Sequence, residues 1–303
     1  MKIDLKVKLG KMVLKNPVIA ASGTFGYAEE FKDYMDLKQL GAITTKTITV
    51  KPRKGNLPPR TCEAPAGLLN SIGLENPGVQ CFIEEKIPYL ASLGIPVIVS
   101  VSAEEDPAEF VFLAKKLDRI KSVSALELNI SCPNMQRQHL IAQDAQATFK
   151  VVSAARKATK KTIITKLSPN VTSITEIAQA AQDAGSDALA LINTFSGISI
   201  DIKTRSLRLG AGSGGLSGPA IRPMALQMVR QAYEKVKIPI IGLGGIIDTQ
   251  SAIEFFIAGA SAISVGTANF IDPAISIKII AGLKEYLREQ SIGKISLLTG
   301  SLR

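Results

Sequence analysis

Short apolar runs alternate with amphipathic stretches along most of the chain, and the alternation repeats eight times. The runs are Val18–Ala21, Ala42–Lys46, Pro96–Val101, Ala125–Asn129, Thr162–Leu167, Asp187–Ile192, Pro239–Leu243 and Ala260–Val265. Near-continuous apolar character marks a strand buried on both faces of a parallel sheet. A helix-period segment is expected after each run. From Thr172, residues Ile174, Ile177, Ala178 and Ala181 recur on one face, and Gly185 is placed to end the helix. Asp248 is placed to cap another, in which Ile253, Phe256 and Ile257 precede Gly259. Eight parallel strands with right-handed crossovers predict an α/β fold, a closed (β/α)8 barrel forming one domain over residues 1–303. An open doubly wound sheet of eight strands in this length would need fewer and longer helices on both faces.

Ahead of the first run, Ile3–Val7 and Met12–Leu14 alternate about Gly10-Lys11, which predicts a hairpin across the bottom of the barrel. Two long connections, Thr47 to Gly78 and Phe195 to Gly218, break the repeat. The second carries a hairpin signal, Ile200 and Ile202 followed by Leu207 and Leu209. Connections this long in a compact domain are usually functional lids.

Polar residues gather where the runs end. Ser22-Gly23 follows the first run, Lys46-Thr47 closes the second, Ser100 closes the third, Asn129 the fourth and Lys166 the fifth, and Asn193-Thr194 follows the sixth. The C-terminal edge is where such barrels place their chemistry. Any one of these residues could be a helix cap. Two lysines at inward-leading strand ends are harder to explain that way, because a buried ammonium needs a partner, and an anionic or electron-rich ligand would supply one. Gly244-Gly245-Ile246 and Gly266-Thr267 end the last two repeats, where glycine lets backbone N–H groups approach a phosphate. A phosphorylated cofactor is expected. The run Gly210 to Gly215 matches G-x-G-x-x-G, but it lies inside a long loop without an acidic residue ending a second strand, so it is read as a lid rather than a dinucleotide turn.

The richest stretch is Asn129-Ile130-Ser131-Cys132-Pro133-Asn134, one thiol between two carboxamides directly after the apolar run Val123 to Leu128. Carboxamides both donate and accept, which suits a ring of alternating N–H and C=O groups better than a sugar or a phosphate. A thiol beside them is a candidate base, where a lone cysteine elsewhere would be read as a small buried hydrophobe. His139 is the single histidine, which excludes a histidine triad or a set of imidazole ligands and leaves it as a loop residue.

Bulk composition narrows the setting. With 46% hydrophobic residues over 303 positions the chain can bury a large core. Three cysteines without C-x-x-C spacing support neither a disulfide framework nor a metal or iron–sulfur site, and a reducing cytoplasm is the expected home. Neither a signal peptide nor a membrane span is read from the pattern. The net charge of +10 attracts anions, but the basic clusters lack interleaved aromatics, and no nucleic-acid partner is expected.

Further pieces complete a pattern that runs nearly end to end: Asn16-Pro17, Ala21 to Tyr27, Asn70 to Gly78, Lys166-Leu167-Ser168-Pro169-Asn170, Gly214 to Pro219 and Gly266-Thr267-Ala268. With them, the chain resembles the FMN-containing catalytic subunits of class 1B dihydroorotate dehydrogenases. The resemblance implies that Cys132 is the general base that takes a proton from C5 of dihydroorotate while hydride leaves C6 for FMN, giving orotate for pyrimidine biosynthesis. It implies substrate contacts from Lys46, Asn70, Ser71, Ile72, Gly73, Leu74, Asn129, Asn134, Asn193 and Thr194. One FMN per chain would be held by Ser22, Lys46, Thr47, Ser100, Asn129, Lys166, Ile192, Gly218, Gly244, Gly245, Gly266 and Thr267, with no metal. It also implies a partner subunit carrying FAD and an iron–sulfur cluster that passes electrons to NAD, two copies of each subunit assembling together.

Two departures stand out. Ser100 occupies a place where the family usually has an FMN-binding asparagine, followed by Ser102-Ala103 in place of an Ala-Gly pair, so one flavin contact is expected to be shorter or water-mediated. Met135 to Leu140 replaces the glycine pair that usually follows Asn134, which puts closure of that loop in question. Alternative readings are another FMN barrel acting on pyrimidines, of the dihydropyrimidine dehydrogenase or tRNA dihydrouridine synthase kind, and a flavin-binding scaffold without turnover. Against the tRNA enzymes, little sequence remains after the eighth helix to form their RNA-binding domain.

Overall fold

The computed structural model describes residues 3–104, 106–131 and 141–303. Eight parallel strands close on themselves: β1 Val18–Ala20, β2 Ala42–Thr44, β3 Val97–Val101, β4 Val123–Asn129, β5 Thr162–Lys166, β6 Ala188–Leu191, β7 Ile240–Gly242 and β8 Ala262–Val265. Each pairs with the next, and β8 returns to β1 through Val265 opposite Ala20. In β2, β3, β5, β6, β7 and β8 every residue is buried, because one face fills the barrel and the other lies under helices. That burial is why the runs read as continuously apolar rather than alternating.

The outer layer holds α1 Ile87–Ser92, α2 Ala108–Asp118, α3 Ala145–Ala158, α4 Ile174–Asp183, α5 Arg222–Lys235, α6 Thr249–Ala258 and α7 Ile275–Glu289. The helix expected after β1 is replaced by two single 3-10 turns, Glu29–Phe31 and Leu37–Gln39. Helix α4 begins one residue later than Thr172 suggested, because Ser173 takes the cap and accepts the Glu176 N–H. Asp248 caps α6 as expected, in a reciprocal box with Ser251.

The N-terminal hairpin is present but shifted. Its arms are Val7–Leu9 and Met12–Leu14, with Leu9 opposite Met12 and Gly10 at φ +56° in the turn. Ile3 to Lys6 lie outside it, and Asp4 instead bridges to Lys294 near the C-terminus. The Lys11 N–H bonds the Thr162 hydroxyl at the start of β5, so the hairpin does cap the N-terminal end of the barrel.

The two long connections are more ordered than their composition suggested. Thr61–Ala64, Gly67–Asn70, Phe195–Gly197 and Gly214–Ser217 form a four-stranded antiparallel sheet, with Gly67–Asn70 between Thr61–Ala64 and Gly214–Ser217. Beyond it, Ile200–Asp201 pairs with Ser206–Leu207 as the expected hairpin. Gly214 and Gly215, the last glycines of the G-x-G-x-x-G run, therefore lie in a strand, where a Cβ on Gly214 would come within 2.7 Å of the Asn70 carbonyl oxygen. This sheet joins the ends of β2 and β6 over the C-terminal rim.

Candidate active site

The rim is tied together by side chains from five strand ends. Asn129 closes β4 opposite Lys166 on β5, and Ser131 follows two residues on. Ser131 Oγ donates to Asn129 Oδ1 at 3.0 Å and accepts from Asn193 Nδ2, beyond β6, at 2.7 Å. Asn129 Nδ2 donates to Thr47 Oγ1 at 3.3 Å, and Thr47 Oγ1 lies 2.9 Å from Ser100 Oγ on β3. Thr47, Ser100, Asn129 and Ser131 are all buried, so these bonds form away from bulk water and hold the carboxamides in defined orientations. The hydroxyl of Ser100 is engaged by Thr47, and the Ser102 hydroxyl donates to the Asn129 carbonyl at 3.1 Å.

A second cluster sits deeper. Lys166 Nζ donates to Ser22 Oγ at 3.1 Å, and Ser22 Oγ donates to Glu127 Oε1 at 3.0 Å. Lys46 is placed at the mouth of the barrel by its backbone bond to the Gly26 carbonyl. It is half-buried, and its ammonium has no hydrogen-bond or ion-pair partner among the described residues. Lys46 and Lys166 thus stand at the C-terminal ends of β2 and β5.

The antiparallel sheet brings the remaining substrate candidates over this opening. Asn70 Nδ2 donates to the Gly215 carbonyl at 3.2 Å, and a Cβ on Gly215 would collide with the Thr194 side chain, so Asn70, Gly215 and Thr194 are packed together. The turn from Ser71 to Leu74 is pinned from beneath: Asn56 Nδ2 donates to the Ser71 carbonyl, and Arg53 Nε donates to the Gly73 carbonyl at 3.1 Å. Gly73 and Leu74 both adopt positive φ there, +74° and +55°.

The phosphate-type residues converge on the far side. A Cβ on Gly245, at φ +78°, would lie 2.8 Å from the Gly218 carbonyl oxygen, so Gly218 and Gly245 are close neighbours. Ile192 flanks them, its Cγ1 3.5 Å from where a Gly244 Cβ would stand. Thr267 Oγ1 donates to Ser217 Oγ at 2.8 Å, joining the end of β8 to the overlying sheet. Gly266 is less crowded, a built Cβ there meeting only ordinary contacts, the nearest with Ala21 Cβ at 3.7 Å. Backbone amides at glycine-rich strand ends can take a phosphate, and lysines can take an electron-rich ring.

Cys132, Asn134 and His139 lie outside the described residues. Sequence reasoning missed Glu127, Ser131 and Ser217. Strand alternation could have found Glu127, since it shares the inward face of β4 with Asn129, two residues on. Ser131 stood within the quoted motif without a role. Ser217 ends the sheet strand that the sequence did not reveal.

A polar cleft at the opposite end of the barrel, lined by Lys11, Asp118, Arg156 and Lys160, is structural. Arg156 pairs with Asp187 at 2.8 Å, and Asp118 accepts from Thr159 and from the Lys160 N–H.

The family model for dihydroorotate dehydrogenase matches residues 4–287. The chain is 50% identical over 303 residues to a protein of Pelobacter propionicus named "Dihydroorotate dehydrogenase B (NAD(+)), catalytic subunit", covering 100% of this chain and 99% of that one. A protein of the same name from Carboxydothermus hydrogenoformans is 50% identical over 299 residues, 98% of this chain and 97% of its own. Another from Thermoanaerobacter pseudethanolicus is 47% identical over 302 residues, 99% of each.

Proposed function

Because this chain belongs to the dihydroorotate dehydrogenase family, we propose that it is the catalytic subunit of an NAD-linked enzyme that oxidises dihydroorotate to orotate in pyrimidine biosynthesis. The observation that carries the reading is that carboxamides, two lysines and the glycine turns all stand at the C-terminal ends of the barrel strands. In this reading Asn129, Asn193 and Asn70, each held by bonds within the protein, would read a ring of alternating N–H and C=O groups, and Lys46 would lie against both flavin and substrate.

The residue types at these strand ends suit FMN. Gly218, Gly244, Gly245, Gly266 and Thr267 would hold the phosphate. Ser22, Lys46, Thr47, Ser100, Asn129, Lys166 and Ile192 would hold the ring system. When bound, FMN supplies the hydride acceptor. Cys132 is the base in this reading: its thiolate takes the C5 proton of dihydroorotate as the hydride leaves C6, so one C=C bond forms and two C–H bonds break. A cysteine, with a reference pKa of about 8.5, is a workable base near neutral pH if a cation or amide donors stabilise its thiolate. Lys166 offers a fixed positive charge where negative charge develops on reduction, which is electrostatic stabilisation by a group already in place. Asn134 and the turn Ser71-Ile72-Gly73-Leu74 would close over the substrate with Thr194.

Electrons would then leave through a second subunit carrying FAD and an iron–sulfur cluster, two copies of each subunit assembling together in the cytoplasm. The described cysteines, Cys62 and Cys81, are free thiols, and with Cys132 they are too few for a four-thiolate cluster. No helix among the described residues is long and apolar enough to cross a membrane. An absorption spectrum of the purified chain, taken anaerobically with and without dihydroorotate, tests the proposal. A flavin band that bleaches on adding substrate supports it; a colourless chain that takes up no FMN refutes it.

A further inference from the structure

Glu127 and Lys166 are the only two buried charged side chains among the described residues, at 5% and 6% exposure. They sit on adjacent strands, opposite in sign, and one hydroxyl links them: Lys166 donates to Ser22, and Ser22 donates to Glu127. An ammonium or a carboxylate taken out of water is costly unless another charge or a set of hydrogen bonds compensates it. The register places Glu127 beside Ile164 and Asn129 beside Lys166, so the carboxylate lies one inward-facing step below the rim.

The direction of the two bonds is fixed by chemistry. A lysine ammonium only donates and a carboxylate only accepts, so the Ser22 hydroxyl must turn its hydrogen to Glu127 and its lone pairs to Lys166. Replace the carboxylate by a neutral carboxamide, and the acceptor weakens and gains a competing N–H donor, so the hydroxyl can turn and lose the lone-pair alignment that holds the ammonium. We propose that Glu127 is a positioning residue that orients Ser22, and through it fixes the Lys166 ammonium toward the flavin. The inference rests on the FMN reading given above. Glu127 touches neither substrate nor cofactor in this account. Its work is to supply the opposite charge and to spend one of Lys166's three N–H groups downward, so that the other two stay directed at the ligand.

A double-mutant cycle on the purified chain tests the link. Glu127→Gln, Ser22→Ala and Lys166→Met are made singly, and each of the first two is combined with the third. FMN affinity is read by quenching of flavin fluorescence, and the midpoint potential of bound FMN by anaerobic dye equilibration. Lys166→Met is expected to weaken FMN binding about tenfold and lower the potential, and Glu127→Gln and Ser22→Ala to weaken it about threefold and also lower the potential. In the Lys166→Met background neither is expected to add more than about 1.5-fold, because the lysine through which they act is gone. A carboxylate acting only through its own field predicts the opposite sign, since neutralising it would raise the potential, and that result overturns the proposal. So does Glu127→Gln with unchanged affinity and potential, or penalties that multiply across the cycle. Ser22→Ala keeps both charges, so it reads the same link should Glu127→Gln fold poorly. A wild-type chain that binds no FMN defeats the cofactor reading together with this one, whereas FMN binding with independent effects defeats this inference alone.

Discussion

Asn193 Nδ2 reaches across 2.7 Å to Ser131 Oγ and so fastens the end of β6 to the residue directly before Cys132. The same hydroxyl donates to Asn129. One serine therefore sets the relative placement of the two carboxamides proposed to meet the substrate. A neutral hydrogen bond contributes about 0.5–1.5 kcal/mol, so Ser131→Ala is expected to slow flavin reduction by dihydroorotate roughly two- to tenfold while FMN stays bound. Stopped-flow bleaching at saturating substrate gives the rate directly; a rate equal to wild type would mean that the serine is incidental.

Lys166→Ala is expected to impair flavin reduction far more than folding. The ammonium is buried and linked through Ser22 to Glu127, so its removal leaves that carboxylate with only the Ser22 hydroxyl for compensation, and some loss of stability accompanies the larger loss of reduction. Thermal unfolding and single-turnover reduction, compared on the same preparation, separate the two effects. Matching losses of stability and activity, with normal reduction in the folded fraction, would count against the assignment.

The barrel was legible in the sequence because its strands are buried on both faces, and a run such as Thr162–Lys166 has no solvent-facing positions to disguise it. The rim residues were legible for a related reason: Asn129 and Lys166 are polar where the pattern demands apolar. The overlying sheet was not legible. Its strand Thr61–Ala64 alternates between exposed and half-buried, Gly67–Asn70 and Gly214–Ser217 are rich in glycine, and Asn70 meets Gly215 across 145 residues of sequence. Weak local propensity with a distant partner leaves no periodic signal. Alternation with Asn129 places Glu127 on the inward face of β4, but its partner was not legible, and only the structure shows Ser22 arriving from β1 to meet it.

Asp248 caps α6 directly after the Gly244-Gly245 turn, accepting the Ser251 N–H at 2.7 Å and the Ser251 hydroxyl at 2.7 Å. Partial burial pushes its carboxyl up, but the Ser251 bonds, with Arg222 nearby, outweigh burial and hold it below the ordinary aspartate value. A lowered folded pKa stabilises the fold above the unfolded value, about 3.9, and that contribution is lost as pH falls through the folded value. Asp248→Ala should therefore cost about 1 kcal/mol near neutrality. The gap in melting temperature between the variant and wild type should narrow below about pH 4. A gap that stays constant with pH would show that the charged form of the cap contributes nothing.

The isolated chain is expected to reduce its own flavin with dihydroorotate but not to reduce NAD at a useful rate. The only dinucleotide-like glycine run, Gly210 to Gly215, ends in an antiparallel strand rather than opening a helix after a parallel one. NADH formation followed at 340 nm with the purified chain, with and without an electron-transfer subunit, decides the matter. Rapid NAD reduction by the chain alone would make the partner unnecessary.

Cys132 carries the most demanding prediction, because its role comes from the motif and from its place just beyond the buried end of β4. General-base catalysis typically contributes about two to four orders of magnitude, so Cys132→Ala should slow flavin reduction by roughly that factor with FMN still bound. Cys132→Ser keeps an oxygen able to take the proton once ionised. A serine hydroxyl ionises far less readily than a thiol, so its rate should keep rising at alkaline pH after the wild type has levelled off. Anaerobic stopped-flow bleaching across pH for the three proteins distinguishes a base from a bystander. An alanine variant as fast as wild type would remove the thiol from the mechanism and turn the search for a base toward His139, the one imidazole in the chain.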